Sequence, residues 1–370
     1  MRFEEIDPKP IERYLRAVVT QSATDLLLTE GSPARLRIDG KLVPIAGEPV
    51  LTDEQVSTMI LDMLPERMRQ ELQNVNEIDF SFSFGASHRF RGNVFVAQGV
   101  LALSLRSIPQ SIPTPEDLNL PPALAGVCDL PQGFVLVTGP TGSGKSTTIA
   151  SLLEYINERR AVHILTVEDP IEYLHAHKVA AVSQREVGLD TASFDTALRA
   201  ALREDPDVIL VGEMRDPETI QFALTLAETG HLVFATLHTN DAAQALDRIS
   251  DVFPPERQTQ IKVQLAASLV AVVAQRLVPK VEGGLVAAFE LLLANNAVRN
   301  LIRDGKTHQL RNVMMGSRAD GMTTLENSLN ELVASGAITY EEACARSMFE
   351  KEINRPAPVA AQGEAAAAVG

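Results

Sequence analysis

Gly139-Pro140-Thr141-Gly142-Ser143-Gly144-Lys145-Ser146-Thr147 follows a short apolar run, residues 134–138, and leads into a stretch with Ile149, Leu152, Leu153 and Ile156 at helical spacing. The pattern is G-x-x-x-x-G-K-[ST] between a strand and a helix, the context that a phosphate-binding loop requires. Each residue type has a physical task there. Glycines at 142 and 144 let the backbone wrap a phosphate and aim N–H groups at it. Lys145 neutralises charge on the β- and γ-phosphates, and the Ser146 hydroxyl can ligate Mg²⁺. The N-terminus of the following helix adds the positive end of its dipole. All nine residues are therefore candidate contacts for ATP, and Ser146 is a candidate metal ligand.

Working outward, residues 162–167, 208–211 and 232–236 are further apolar runs of strand length, with helical patterns between them. Strand–helix alternation predicts an α/β domain with a mostly parallel sheet covered on both faces. The most apolar stretch, 265–274, is bounded by Gln264 and Gln275. It is too short to span a bilayer and reads as a buried helix. After Pro279 the pattern reads as helical. Upstream, residues 1–111 read as a small α+β domain. Asp39-Gly40 separates 34–38 from 41–45 as a hairpin turn would. Residues 53–64 carry Val56, Met59, Ile60 and Met63 at helical spacing, and 78–84, 89–97 and 101–106 read as strands. Pro113, Pro115, Pro121 and Pro122 mark 112–122 as a linker. The ATPase domain is then expected over 123–354, followed by a Pro/Ala-rich tail, 355–370, without structure.

The chain has 370 residues, 45% of them hydrophobic, enough for two buried cores. A formal net charge of −15, few aromatics and no Trp disfavour a nucleic-acid reader. Cys128 and Cys344 are the only cysteines and form no CxxC pair, so neither a zinc site of that kind nor a disulfide framework is expected. The first ten residues hold Glu4, Glu5 and Asp7 and no apolar run, unlike a signal peptide. A cytoplasmic protein is expected, without direct membrane insertion, reaching a membrane only through a partner.

Three more segments carry chemistry. Glu168-Asp169-Pro170-Ile171-Glu172 follows a strand, where the ligand edge of a parallel sheet lies, and its acids could orient Mg²⁺ water or activate the attacking water. The run from Asp207 to Glu213 resembles a Walker B strand, with the acid displaced one place by Gly212; Glu213 could hold Mg²⁺ through water. His231 and His238 bracket an apolar strand; a strand-end histidine can sense a γ-phosphate or simply bond the backbone. Arg89, Arg91, Arg106 and Arg248 are candidates for charge compensation. An arginine at a γ-phosphate accelerates transfer by about 10³–10⁵, on the order of 4–7 kcal/mol.

The phosphate loop, Thr166-Val-Glu-Asp-Pro-Ile-Glu172, the Gly-Glu-Met-Arg-Asp run at 212–216 and the histidine box at 231–238 occur in one order. Together they resemble the type II/IV secretion and type IV pilus ATPase superfamily, and within it the PilT-like pilus retraction (twitching motility) ATPases. Residues 297–304, Ala-Val-Arg-Asn-Leu-Ile-Arg-Asp, are similar to that family's Ala-Ile-Arg-Asn-Leu-Ile-Arg-Glu helix, departing mildly at Val298 and Asp304. Arg299 and Arg303 should share one face of it. Leu27 stands where the family commonly has histidine. The four-cysteine zinc motif and extra N-terminal domain of assembly and type II secretion ATPases, the runner-up reading, do not occur in this chain; a nucleic-acid translocase is a remote third. The resemblance implies a PAS-like N-terminal domain joined to a RecA-like ATPase domain, a hexameric ring, and an inner-membrane pilus platform protein as partner. It implies Glu172 as the water-polarising base with Glu168 as fallback, Glu213 as the Walker B acid, and His238 on the γ-phosphate side. Arg91, Arg106 and Arg248 would converge on the nucleotide.

Overall fold

The computed structural model describes residues 6–38, 40–85, 88–109 and 111–355. The chain divides into two compact units, residues 1–112 with 172–174, and residues 113–171 with 175–370. The tail expected over 355–370 lies, beyond Arg355, outside the described residues, as does Asp39 of the expected hairpin turn.

In the first unit, helix α1 (Glu12–Thr20) precedes strands β1 (Asp25–Leu28), β2 (Arg35–Ile38) and β3 (Lys41–Pro44). Helices α2 (Asp53–Met63) and α3 (Glu66–Val75) follow, then β4 (Glu77–Phe84), β5 (His88–Ala97) and β6 (Val100–Ile108). The sheet order is β3-β2-β1-β6-β5-β4, antiparallel throughout. Helix α2 starts where the sequence provides a capping box: the Thr52 side chain accepts from the Gln55 N–H while the Gln55 side chain accepts from the Thr52 N–H. Alternate strand residues, among them Leu26, Leu28, Phe80, Phe82 and Phe90, share one core with Tyr14, Leu15, Val56 and Ile60 of the helices.

The second unit opens with α4 (Ala123–Cys128), β7 (Gly133–Thr138), α5 (Lys145–Asn157), β8 (His163–Glu168) and β9 (Ala181–Glu186). It continues through α6 (Phe194–Ala201), β10 (Val208–Val211), α7 (Pro217–Glu228), β11 (Leu232–Leu237), α8 (Ala242–Asp251) and α9 (Pro255–Ser268). Strands β12 (Leu269–Pro279) and β13 (Leu285–Leu293) come next, then α10 (Asn296–Arg303), α11 (Leu310–Gly316), α12 (Leu325–Ala334) and α13 (Tyr340–Arg346). The sheet order is β13-β12-β7-β11-β10-β8-β9, parallel except for β13. Along β7, Phe134 and Leu136 enter one core, with α7, α8 and α9, while Val135 and Val137 enter the other, with α5. A strand buried on both faces is apolar at nearly every position, which is why β7, β10 and β11 read as apolar runs.

Two expectations fail here. The apolar stretch 265–274 is not one helix: α9 ends at Ser268, and β12 begins at Leu269. The segment after Pro279 is not wholly helical, because β13 pairs with β12 over nine residues. Periodicity cannot separate a doubly buried strand from a buried helix. Here β12 is inserted between β7 and β13, and Val270, Val272 and Val273 suit a pleated interior. Among the described residues no helix is long and apolar enough to cross a membrane.

Candidate functional site

Parallel pairing brings the ends of β7, β8, β10 and β11 to one edge. Thr138 lies opposite Leu237, Val211 lies opposite both Val167 and Ala235, and each strand then turns into a loop. The phosphate loop leaves β7 at this edge. Gly142 and Gly144 adopt φ of +77° and +88°, and Gly144 is the N-cap of α5 in the left-handed region. A side chain at 144 would be strained in that conformation. Ser146 is exposed in the first turn of α5, whereas Lys145 is 8% exposed.

The Lys145 ammonium donates to the carbonyl oxygens of Gly139 (2.8 Å) and Pro140 (3.1 Å) and lies 3.4 Å from His238 Nδ1. His238 Nε2 is 3.2 Å from Glu213 Oε1, and Glu213 Oε2 accepts from Arg215 at 2.7 Å. A donating ammonium requires Nδ1 to accept, which leaves the Nε2–H to donate to Glu213. One chain of contacts therefore joins the phosphate loop, the histidine box and the Walker B turn. Burial lowers the Lys145 pKa, and the Glu213 charge opposes that fall. Glu213 is lowered, first by the Arg215 hydrogen bond and against the desolvation of its site. It is thus kept ionised.

Neighbouring backbone fixes this chain in place. The Thr138 hydroxyl, 2.6 Å from that of Thr239, also bonds the Thr239 carbonyl (2.8 Å), so the end of β7 holds the loop that carries His238. Thr236 Oγ1 donates to the Gly212 carbonyl. The glycine that displaces the Walker B acid has a steric reason: a Cβ at 212 would lie 3.0 Å from the Val167 oxygen and 3.1 Å from Glu168 Cα. His231, at the opposite end of β11, bonds the Leu226 carbonyl through Nδ1 at 2.9 Å and has a structural role.

Glu168 ends β8, 9% exposed, and accepts from Thr166 Oγ1 (2.7 Å) and Gln184 Nε2 (3.3 Å). Gln184 Oε1 in turn accepts from the His175 N–H. Beyond it, the segment 175–180 is laced to the end of α5. His175 Nδ1 lies 2.6 Å from Glu154 Oε2, Lys178 Nζ lies 2.6 Å from Glu154 Oε1, and the Asn157 side chain donates to the Ala176 carbonyl. The acidic segment and the phosphate-loop helix are thereby joined by side chains that sequence motifs did not single out. A histidine three residues past Glu172 was the available signal.

The remaining candidates fall on other elements. Glu172 falls, with 173 and 174, in the first unit by compactness. Arg91 and Arg106 are cross-strand neighbours on β5 and β6, and Arg106 Nε donates to Asp25 Oδ1 at 2.8 Å. Arg89 Nη2 donates to Ser81 Oγ. Arg248 is exposed in the last turn of α8. On α10, Arg299 and Arg303 have different partners: Arg299 caps the end of α9 through the Ala266 and Ala267 carbonyls, while Arg303 is exposed and donates to Asn300.

Residues 115–283 match the family "Type II/IV secretion system protein". The type IV pilus retraction ATPase PilT of Pseudomonas aeruginosa is 47% identical over 90% of this chain and 96% of its own length. A twitching motility protein of Neisseria gonorrhoeae is 48% identical over 83% of this chain and 82% of its own. A crystal structure of the pilus retraction motor PilT with bound ADP superposes with a TM-score of 0.87 at 46% identity, covering 92% of this chain and 98% of that one.

The lacing of 175–180 predicts an acid-sensitive contribution to stability. Burial alone would raise the Glu154 carboxyl, but hydrogen bonds from His175, Lys178 and Asn157 outweigh it and hold the pKa at about 2, against 4.5 for an ordinary glutamate. A depressed folded-state pKa contributes stability that is present above about 4.5 and lost as pH falls towards about 2, up to about 3 kcal/mol. Thermal midpoints of the wild type should therefore fall more steeply through this window than those of Glu154→Gln; parallel curves would contradict the assignment.

Proposed function

The chain belongs to the type IV pilus retraction ATPases of the type II/IV secretion family, and from that premise we propose that it hydrolyses ATP at the Lys145 loop, in a hexameric ring, to pull pilin subunits out of a pilus fibre. It is an ATPase with a RecA-like domain, as its family and fold require. The observation that carries the site reading is the bonded chain Lys145–His238–Glu213–Arg215 at the carboxyl edge of the parallel sheet. It joins three motifs that lie far apart in sequence.

The residues fit a magnesium nucleotide. N–H groups of the loop 139–147 would hold the phosphates, and the Lys145 ammonium would turn from its carbonyl partners towards them. Mg²⁺ commonly needs only one or two protein oxygens beside the phosphates, and the exposed Ser146 hydroxyl and the ionised Glu213, through water, would supply them. Among the described residues no cluster of three or more His, Cys, Asp or Glu could cage a metal, in keeping with an ion held mainly by the nucleotide. The ion would neutralise charge on the terminal phosphates. Glu172 would polarise the attacking water, with Glu168 as fallback; His238 would report the γ-phosphate to Glu213. Arg91, Arg106 and Arg248 would compensate transition-state charge. Force would pass to an inner-membrane pilus platform protein, with the ring at the inner face of the cell membrane.

Lys145→Ala should abolish ATP hydrolysis in a steady-state phosphate-release assay, and normal turnover in that variant would refute the phosphate-loop reading. Glu172→Gln should bind ATP with ordinary affinity yet turn over about 10²–10⁴-fold more slowly, the span expected for a lost general base. A wild-type rate would move that role to Glu168.

A further inference from the structure

The phosphate loop is also held from a strand that no motif marks. Gln275, on β12, is 3% exposed, and its side-chain amide faces the loop. Nε2 donates to the Ser143 carbonyl at 2.7 Å, and Oε1 accepts from Thr148 Oγ1 at 2.7 Å, so both ends of the amide are used. The packing is close: a Cβ on Gly144 would lie 2.7 Å from Nε2. Strand β12 pairs with β7 on one side and β13 on the other, Ala274 opposite Thr138 and Gln275 opposite Phe289. Gln275 therefore stands one residue past the point where β7 ends and the loop begins. A support built on a doubly paired strand is more rigid than one built on a loop.

We propose that Gln275 is a positioning residue for phosphate binding: its amide holds the Ser143–Gly144 peptide with the carbonyl turned away from the phosphate and the Gly144 N–H turned towards it. The physical basis is the planar trans peptide, in which the C=O of one residue and the N–H of the next point in opposite directions. Fixing the Ser143 oxygen against Gln275 fixes the Gly144 N–H on the far side. Released, the same peptide could turn its carbonyl to the site, where the oxygen would repel an anion. The bond to Thr148, one turn into α5, ties the same amide to the helix that follows the loop. Each hydrogen bond to a charged group contributes about 1.5–3 kcal/mol, so a misdirected Gly144 N–H should weaken nucleotide binding roughly 10- to 100-fold. The inference rests on the reading of residues 139–147 as the nucleotide site.

The test is equilibrium binding of ADP to the full chain, with steady-state ATPase kinetics. Gln275→Met keeps the volume and removes both hydrogen bonds. It should raise the ADP Kd and the ATP KM roughly 10- to 100-fold with kcat changed far less, because the lost contact serves ground and transition states alike. A purely structural role would lower the thermal midpoint and leave the Kd of the folded protein unchanged. Gln275→Glu supplies a second readout. As a carboxylate it opposes the Ser143 oxygen; as a carboxylic acid it can donate to Ser143 and accept from Thr148, as the amide does. Burial raises such a carboxyl, so its ADP affinity relative to wild type should recover as pH falls from about 8 to about 6. Unchanged ADP affinity in Gln275→Met, or a pH-independent deficit in Gln275→Glu, overturns the proposal. A wild-type chain that binds no ADP overturns the nucleotide reading and this proposal together, so the two failures are told apart by the wild type.

Discussion

Parallel hydrogen bonding between β7, β11, β10 and β8 is the constraint on which the second unit depends. It forces every one of these strands to leave the sheet at the same edge, and it requires a long crossover, here with a helix in it, from each to the next of them in sequence. The crossovers cover both faces, so the strand interiors must be apolar and the chemistry is confined to the residues where strands end. Lys145, Glu168, Glu213 and His238 all stand just past or at such an end. Their proximity follows from register rather than from any attraction among them; the contacts from Lys145 to Arg215 then fix charge states and ring orientation.

Much of this was legible in the sequence because the responsible patterns are local. The phosphate loop is nine consecutive residues whose glycine, lysine and serine spacing is read without any distant partner, and β10 coincides with the run 208–211. The bracket of His231 and His238 was visible, but their different fates were not. Each ends a strand, and only the direction of β11 relative to β7 says which end carries the chemistry.

What was not legible depended on distant partners. Residues 269–274 are apolar at every position, and nothing within them distinguishes a strand from a helix; pairing with β7 and β13 decides it. Gln275 shows the same limitation in a polar residue. In sequence it merely ends an apolar run, and its meaning comes from Ser143 and Thr148, more than a hundred residues away. A polar side chain that ends an apolar run was the signal to read. Arg299 was expected with Arg303 on one helical face, but its partners, the Ala266 and Ala267 carbonyls at the end of α9, lie more than thirty residues away in sequence.

On the proposed reading, the nucleotide chemistry organised at Lys145 drives removal of pilins rather than their addition. It is tested most directly by counting surface pili, with a twitching assay, in source cells whose only copy of this chain carries Lys145→Ala. Abundant pili on cells that no longer twitch is the predicted result. Cells without pili would contradict it, because an ATPase that builds the fibre leaves none when its phosphate loop is disabled.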